Sequence, residues 1–450
     1  MTPPIEAQRR LSTATVVWFA LPQLAQGFAL LPVVNYVPGF YSDHLGLPLT
    51  IVGLMLVLSR VTDIVIDPVV GAWSDRSRSR FGRRKPFIAV GVPIMMVSAW
   101  YVFVPPAGAG AAWLFWGLFF LYLGFTLVTI PYASWGAELS SDYDERSRLA
   151  AVRGAFGSAG SLLTLSIPVI LQMLGYPDTA LFMMVMAVCF IVLQPLTFAA
   201  TMTRIPDRGG VAVAADVPRG KLSALLVNAP LRRLMGAIAL LIVGMAVGAT
   251  LNMIFFKHVA HQADYFANAV FVQNVVAIAF LPLWLKVAAR LGKHRAMAIA
   301  MLSIGACSAA TFMVGPGDGL LLSGLVVGIG AGMGAIIFLS SSMVADLVDR
   351  DMLETGEERT GLYMAAAGVA TKVAGVFGVL VGTAVPGLAG FQPSDAVHSA
   401  QSLLVLRIVY AFVCPLLAVP AALILWNYPL DRGAQQALRV RIDERRRADT

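Results

Sequence analysis

Apolar stretches recur along nearly the whole chain, and short polar or turn-forming joints separate them. A membrane-spanning helix needs roughly 20 apolar residues, and the stretches are long enough to supply them. They are apolar on all sides, whereas the strands of a membrane barrel would alternate apolar and polar residues. The pattern therefore predicts an all-α polytopic membrane protein. We place its twelve spans at residues 13–40, 46–74, 86–105, 111–136, 148–174, 179–202, 230–256, 264–288, 295–314, 318–347, 358–388 and 400–427.

One long polar segment divides the spans into two sets of six. The stretch Phe81–Lys85 after span 2 is echoed by Leu291–Arg295 after span 8, and Ala137–Leu139 after span 4 is echoed by Ala345–Leu347 after span 10. Two related six-span repeats are typical of secondary transporters whose halves rock against each other. The predicted domains are an N-terminal six-helix bundle (1–202), a cytoplasmic middle loop (203–229), a C-terminal six-helix bundle (230–427) and a cytoplasmic tail (428–450).

Composition agrees with a membrane protein. Of the 450 residues, 13% are charged and 58% are hydrophobic, with a mean hydropathy of +0.77. A soluble domain usually carries about 25% charged residues, so an ordinary soluble protein is excluded.

The net charge of +8 arises from basic residues that cluster in the joints on one side of the spans. The positive-inside rule then places both termini in the cytoplasm, and the charge requires no nucleic-acid partner. The cysteines and histidines show no metal-ligand spacing. We expect no cofactor and no structural metal. We also expect a monomeric multi-pass protein of the cell membrane, a bacterial inner membrane, with the lipid bilayer and a small molecule as its partners.

Charged residues inside span 2 form the main candidate site. Arg60, Asp63 and Asp67 are spaced by three and four residues, which places them on one stripe of a helix. Ionisable residues within a membrane are costly and indicate function by default. Two carboxylates one turn apart predict a proton or cation site, while a static salt bridge to Arg60 is the alternative.

Two further cations are predicted inside spans. Lys372 in span 11 needs a counter-charge, and the carboxylates of span 2 are its natural partner, although it could instead extend to the membrane interface. Arg153 in span 5 could serve a site or clamp a loop through Glu138 or Asp142.

Charged residues also follow spans 2, 4 and 10. We predict that they clamp helix ends at the cytoplasmic face, the alternative being that the first of these loops only sets the topology. The residues of this predicted gate are Asp75, Arg76, Arg83, Arg84, Lys85, Glu138 and Asp346.

Several stretches resemble one family. Asp63–Pro68 and Gly71–Phe87 are similar to the glycoside–pentoside–hexuronide:cation symporters, the melibiose-permease-like branch of the major facilitator superfamily. Tyr41–Leu47, Ile130–Ser134 and Ser342–Asp349 agree with the same family and occur in the expected order. The resemblance implies the major facilitator fold, with twelve helices in two six-helix bundles and transport by alternating access.

The resemblance also implies roles for individual residues. Asp63 and Asp67 would bind the coupling cation, and Thr126 aligns with a hydroxyl that assists that site. Lys372 would be the cationic partner near the cation and sugar sites, and Arg153 a sugar-site or gating residue.

Two departures from the family pattern bear on ion and substrate. Ile66 stands where sodium-using members often carry an asparagine, which favours H⁺ over Na⁺; sodium at Asp63 and Asp67 is the alternative. The positions of two sugar-binding aspartates fall near Gly27 and at Thr129, so the sugar site must use other groups. The candidates are Gln23, Gln26, Asn35, Tyr36, Thr129, Tyr132, Trp135, Gln273 and Asn274.

These features together predict a cation-coupled, preferably proton-coupled, symporter of a sugar, glycoside or oligosaccharide. The alternatives are a uronide or an amphipathic lipid-like substrate, or a membrane sensor or assembly factor that transports nothing. No enzyme is expected, because the sequence contains no GxSxG, HExxH or P-loop motif. The glycine-rich stretch Gly328–Gly334 lies inside span 10, where its spacing predicts close helix packing rather than a nucleotide loop.

Overall fold

A computed structural model of the chain describes residues 11–77, 79, 81–140, 143–207, 228–355, 360–395 and 397–429. Within these residues the regular elements are helices, and no strand occurs. The helices are α1 Thr13–Ala20, α2 Pro22–Asn35, α3 Val37–Asp43, α4 Leu49–Arg76, α5 Lys85–Phe103, α6 Ala111–Glu138, α7 Tyr143–Met173, α8 Thr179–Arg204, α9 Ala229–His258, α10 Asp264–Ala279, α11 Leu281–Leu291, α12 Lys293–Ala310, α13 Gly319–Thr355, α14 Thr360–Leu388 and α15 Ala400–Trp426.

The described part of the chain contains eleven helical segments that are long and apolar enough to cross a membrane. A twelfth is obtained if α10 and α11, which are bent by 45° at their junction, count as one span. The prediction of an all-α polytopic protein is therefore confirmed. The predicted span 264–288 corresponds to this bent pair, which breaks where Pro282 has no N–H to continue the helical hydrogen bonds of α10.

The first predicted span, 13–40, is also not one helix. It is divided into α1, α2 and α3, with breaks at Leu21 and Tyr36. A proline stands in the first turn after each break, Pro22 in α2 and Pro38 in α3, where a missing N–H is tolerated. The apolar pattern predicted the location of this span, but the prolines determine its subdivision.

Several helices continue past the apolar residues that predicted them. Helix α13 extends to Thr355, past the end predicted at residue 347. Helix α4 likewise includes Asp75 and ends at Arg76. The hydropathy pattern predicts where a chain leaves the lipid. It does not predict where the helix ends, because a helix can continue beyond the membrane.

The described residues divide into two compact units. The first takes its residues from Met1–Leu47 and Leu58–Val211, and the second from Pro48–Val57 and Ala212–Thr450. The first turns of α4 thus pack within the second unit, where the Leu49 amide donates to Gln392 Oε1 at 3.3 Å. The remaining turns of α4 carry the candidate carboxylates within the first unit.

The second unit has a continuous apolar core in which Leu234, Met301, Leu339 and Leu425 are fully or almost fully buried. The glycines of α13 bring neighbouring helices close to this core. A Cβ on Gly334 would lie 2.1 Å from the Ala277 carbonyl oxygen of α10.

The glycines of α13 allow close packing on two faces of the helix, one against α10 and one against α12. Gly330 and Gly334 lie against α10, whereas Gly328 and Gly332 lie against Cys307 and Ile304 of α12. The predicted packing role of this glycine-rich stretch is therefore confirmed.

Candidate ion and substrate sites

The carboxylate pair of α4 lies inside the first unit beside α6. Asp63 is 1% exposed, and its Oδ2 accepts a hydrogen bond from Arg60 Nη1 at 3.1 Å. The guanidinium of Arg60 also lies 4.2 Å from the ring centroid of Tyr122. Arg60 is thereby held between a carboxylate and an aromatic face, which is a favourable environment for a cation away from water.

Thr126 joins the two carboxylates. Its Oγ1 lies 2.9 Å from Asp63 Oδ1 and 2.8 Å from Asp67 Oδ1. A threonine hydroxyl has one proton to donate, but it can also accept through its lone pairs. The one proton of the hydroxyl cannot serve both carboxylates fully, whereas a carboxyl group that carried a proton would donate to the hydroxyl in turn. The geometry therefore fits a pair of carboxyl groups that shares one added proton.

The same protonation state balances the local charge. Taken by themselves, Arg60 and the two carboxylates carry a net charge of one negative unit when both carboxylates are ionised and of zero when one carries a proton. The side chain of Ile66 has no oxygen atom to offer, and it packs against an apolar cluster formed by Val70, Phe87 and Leu127.

A second arrangement in the first unit centres on Arg153 of α7. Its guanidinium lies 4.6 Å from the ring centroid of Tyr132 and 5.8 Å from that of Phe19. The rings of Phe19 and Tyr132 are stacked with centroids 4.6 Å apart, and the Tyr132 hydroxyl donates to the Phe19 carbonyl. Gln23 also reaches the Tyr132 hydroxyl with its side chain. We call Phe19, Gln23, Tyr132 and Arg153 the arginine–aromatic cluster.

No carboxylate of the described residues pairs with Arg153, and its buried Nε has no hydrogen-bond partner among them. The alternative clamp to Glu138 is not formed, because Glu138 pairs with Arg84 instead. Asp142 lies outside the described residues. An arginine without an acidic partner inside a helical unit is suited to bind an anionic or hydroxyl-rich ligand.

Gln26, one turn after Gln23 on α2, is also a buried polar residue with atoms that have no hydrogen-bond partner among the described residues. Its side chain is almost completely buried, and neither amide atom has a hydrogen-bond partner among the described residues. A buried amide without partners costs free energy, and a ligand hydroxyl would satisfy it.

The other predicted substrate residues are hydrogen-bonded or buried within the protein. Asn35, Thr129 and Asn274 each donate to a carbonyl four residues earlier in their own helix. Gln273 Nε2 lies 3.4 Å from Met333 Sδ, Trp135 Nε1 donates to the Pro206 carbonyl at 3.4 Å, and Tyr36 is 2% exposed. Lys372 is half-buried in α14, in the second unit, and its pairing with the carboxylates of α4 stays a prediction.

Three of the predicted gate residues of the first unit, Arg84, Lys85 and Glu138, lie in one polar cluster with Ser74 and Asp207. Arg84 donates to Ser74 Oγ at 2.8 Å and to Glu138 Oε1 at 2.7 Å. Asp207 Oδ2 accepts from the backbone amides of Arg84 and Lys85 at 2.8 and 3.3 Å, at the start of α5. A carboxylate there also interacts favourably with the positive end of the helix dipole.

The second unit has a related ion pair. Lys293 Nζ lies 2.9 and 2.7 Å from the two oxygens of Asp346. The similarity between the two halves is therefore present in the contacts as well as in the sequence. A basic residue binds an acidic residue from another helix in each unit, Arg84 with Glu138 and Lys293 with Asp346. Arg76 is exposed, Arg83 is half-buried, and the side chain of Asp75 lies outside the described part of the structure.

Sequence reasoning missed three residues of these clusters. Tyr122 stands four residues before Thr126, so helical spacing could have placed it beside the carboxylate pair. Phe19 and Asp207 gave no such signal, because their partners are far away in the chain and their roles depend on tertiary packing.

Comparisons with known proteins agree with this architecture. The sequence pattern of the family described as MFS/sugar transport protein matches residues 18–432. The chain is 26% identical to the glucuronide carrier protein homolog of Escherichia coli K12 over 455 aligned residues, which cover 98% of this chain and 97% of that relative. It is also 26% identical to the isoprimeverose transporter of Lactiplantibacillus pentosus over 414 residues, which cover 88% and 84% of the two chains.

Among solved structures, the D-xylose-proton symporter has a TM-score of 0.64 and 17% identity, with coverage of 92% of this chain and 97% of that one. This similarity concerns the fold. Together with the family match it confirms the predicted major facilitator fold and the resemblance to the glycoside–pentoside–hexuronide:cation symporters.

Proposed function

The chain belongs to the MFS/sugar transport protein family, and from that premise we propose that it is a proton-coupled symporter of a carbohydrate that works by alternating access. The family consists of transporters and not enzymes, and the multi-pass helical architecture agrees. Beyond membership of this family, the coupling ion, the substrate and the orientation in the membrane are our proposals. The orientation follows from the basic joints, which place both termini in the cytoplasm of a bacterial cell.

The observation that supports proton coupling is the position of Thr126 between Asp63 and Asp67. A single added proton satisfies both hydrogen bonds of the hydroxyl and neutralises the cluster with Arg60. A sodium ion needs several oxygen ligands, and Ile66 packs into an apolar cluster instead of supplying one. In the transport cycle, the protonated site would allow the loaded carrier to reorient, whereas the ionised site would hold it in one orientation.

Uptake into proteoliposomes tests the coupling ion. We expect an imposed pH gradient, acidic outside, to drive accumulation of a substrate drawn from a panel of labelled glycosides, oligosaccharides and uronides. A sodium gradient at fixed pH and membrane potential should add nothing. Liposomes without protein and proteoliposomes with both gradients collapsed are the controls. Strict dependence on sodium would contradict the proton but leave the carboxylate site in place, whereas no transport across the panel would contradict carbohydrate symport.

A uronide is a second candidate substrate, and the arginine–aromatic cluster favours it. Arg153 has no carboxylate partner among the described residues, so its guanidinium is available to the carboxylate of a sugar acid. The neutral amides of Gln23 and Gln26 would bind hydroxyls of the same sugar. The similarity to the glucuronide carrier protein homolog supports this choice. The role that the family resemblance implies for Lys372, a cationic partner near the cation and sugar sites, is part of this proposal.

Substitution of Arg153 distinguishes the two substrate classes. We expect Arg153→Gln to reduce affinity for a glucuronide at least about tenfold, because a charge-assisted hydrogen bond contributes about 1.5–3 kcal/mol. Binding of a neutral glycoside should fall less. The measurement is isothermal titration or competition of labelled substrate in detergent-solubilised protein.

Arg204→Gln is the matched control, since Arg204 also lies over an aromatic ring, Trp18, at 3.8 Å. Equal losses for charged and neutral sugars in Arg153→Gln would reject the uronide while leaving carbohydrate symport intact.

A further inference from the structure

Two histidines form a pair that the proposed transport mechanism does not use. His258 is the last residue of α9, and His398 lies in the segment between α14 and α15. His398 Nε2 and His258 Nδ1 are 3.0 Å apart, within hydrogen-bonding distance. Phe391 packs against both imidazoles, with ring centroids 5.5 Å from His258 and 4.7 Å from His398. The hydrogen bond therefore joins the segment before α15 to the end of α9.

This pair lies at the end of the second unit away from the Lys293–Asp346 ion pair. The beginning of α9 is adjacent to Tyr428, whose hydroxyl donates to the Pro230 carbonyl at 3.3 Å. His294, the neighbour of Lys293, has its ring 6.5 Å from that of Tyr428. His258 stands at the other end of the 30-residue helix α9.

The same segment also contacts the first turn of α4. Gln392 follows Phe391, and its Oε1 accepts the hydrogen bond from the Leu49 amide. A helix N-terminus has amides without partners in the helix, so Gln392 supplies one of the missing acceptors. Nearby, Thr50 lies against Gly387 near the end of α14. The segment that His398 anchors is therefore the one that caps the helix carrying Asp63 and Asp67.

We propose that His258 and His398 form a proton-sensitive latch that holds the segment between α14 and α15 against α9 and thereby against the start of α4. A neutral pair is held by one N–H donor and one ring-nitrogen acceptor. One added proton preserves that hydrogen bond. A second proton makes every ring nitrogen a donor, removes the acceptor and leaves two positive rings in contact. Since histidine changes charge at about pH 5–8, acidification releases the latch.

Other charged and titratable side chains lie on the elements around the pair. Lys257 precedes His258 on α9, His261 lies in the following turn, and Asp395 lies in the connecting segment. Asp264 begins α10, and Asp318 precedes α13, where its carboxylate accepts from the Gly315 amide. The residues 48–57, the last turn of α14 and the first turn of α15 contain no charged residue.

The distance between two spin labels tests whether the latch opens. The labels are attached before the pH is changed, so the pH-dependent reactivity of thiols does not affect the result. One label at Ser394 reports the connecting segment, and one at Ala263 reports the turn after α9; both positions are exposed. That turn is fixed by its own hydrogen bonds, including Gly317 N–H to the Ala260 carbonyl at 2.8 Å. The three native cysteines are first replaced by serine or alanine so that only the two introduced sites react.

We expect one short distance at pH 8 and a second, longer population at about pH 5. His398→Gln, which can still form a hydrogen bond but does not titrate in this range, should abolish the response to pH. His258→Asn provides an independent variant if His398→Gln does not fold, and His261→Gln is the matched control that should respond like the unsubstituted pair. An unchanged distribution across this range, or the same response in both latch variants, would overturn the proposal. Neither result bears on carbohydrate transport itself.

Discussion

Asp63→Asn and Asp67→Asn are each expected to abolish accumulation of substrate against its gradient while leaving substrate exchange measurable. An asparagine keeps the size of the side chain and can hydrogen-bond to Thr126, but it cannot release a proton. The positive charge of Arg60 then balances the one remaining carboxylate, so the site needs no proton to become neutral and reorientation no longer depends on the pH gradient. The measurement is uphill uptake compared with counterflow in the same proteoliposomes, and we expect uphill uptake to fall to background.

Asp178→Asn is the matched control for this pair. Asp178 caps α8 by accepting from the Ala180 amide, and asparagine is an equally good cap. Its uphill uptake should therefore remain normal. Full uphill transport by the Asp63→Asn/Asp67→Asn double variant would show that the proton is carried elsewhere, even if the protein transports sugar.

Gly160→Ala is expected to be the most damaging single small substitution in the first unit. A Cβ at Gly160 would lie 2.1 Å from the Leu24 carbonyl oxygen and 2.8 Å from Leu24 Cα, which are backbone atoms of α2. Rotation of a side chain cannot relieve such an overlap, so α2 and α7 must separate. Overpacking of this kind commonly costs about 1–3 kcal/mol or more. We expect a lower midpoint of thermal unfolding and loss of substrate binding, because α2 carries Gln23 and Gln26 and α7 carries Arg153.

Gly154→Ala is the control within the same helix. A Cβ at Gly154 meets nothing within 4 Å, and alanine has a higher helix propensity than glycine. Its thermal midpoint should be unchanged or raised, as measured by fluorescence-detected size-exclusion chromatography after heating. If Gly160→Ala has the same midpoint and binding as Gly154→Ala, the close approach of α2 and α7 is not important for this protein.

The candidate ion site was accessible to sequence analysis because Arg60, Asp63 and Asp67 share one helix. The spacing of Arg60, Asp63 and Asp67 alone places their side chains on one stripe, and in the structure Arg60 and Asp63 are paired. Thr126 came from the family resemblance, because no spacing rule relates α4 to α6. The helical fold class was similarly predictable, since uninterrupted apolar stretches have few structural solutions in a membrane.

The substrate residues were harder to predict. A glutamine or asparagine in an apolar stretch has the same sequence signal whether it binds a ligand or its own helix. Asn35 and Asn274 bind their own helices, whereas Gln26 has no partner among the described residues. The difference depends on which face of a helix is turned towards a neighbour, and that is decided by packing contacts between distant parts of the chain. The break at Leu21 could have been read from Pro22, but the apolar pattern concealed it.

The single hydroxyl between Asp63 and Asp67 has a consequence for energetics. A site with one transferable proton moves one proton in each cycle. With a neutral sugar, each cycle would carry one positive charge across the membrane, so a potential of 100 mV would contribute about 2.3 kcal/mol to accumulation. With a singly charged uronide anion, the cycle would be electroneutral, and the membrane potential would contribute nothing. The electrical signature of uptake would thus identify the charge of the cargo.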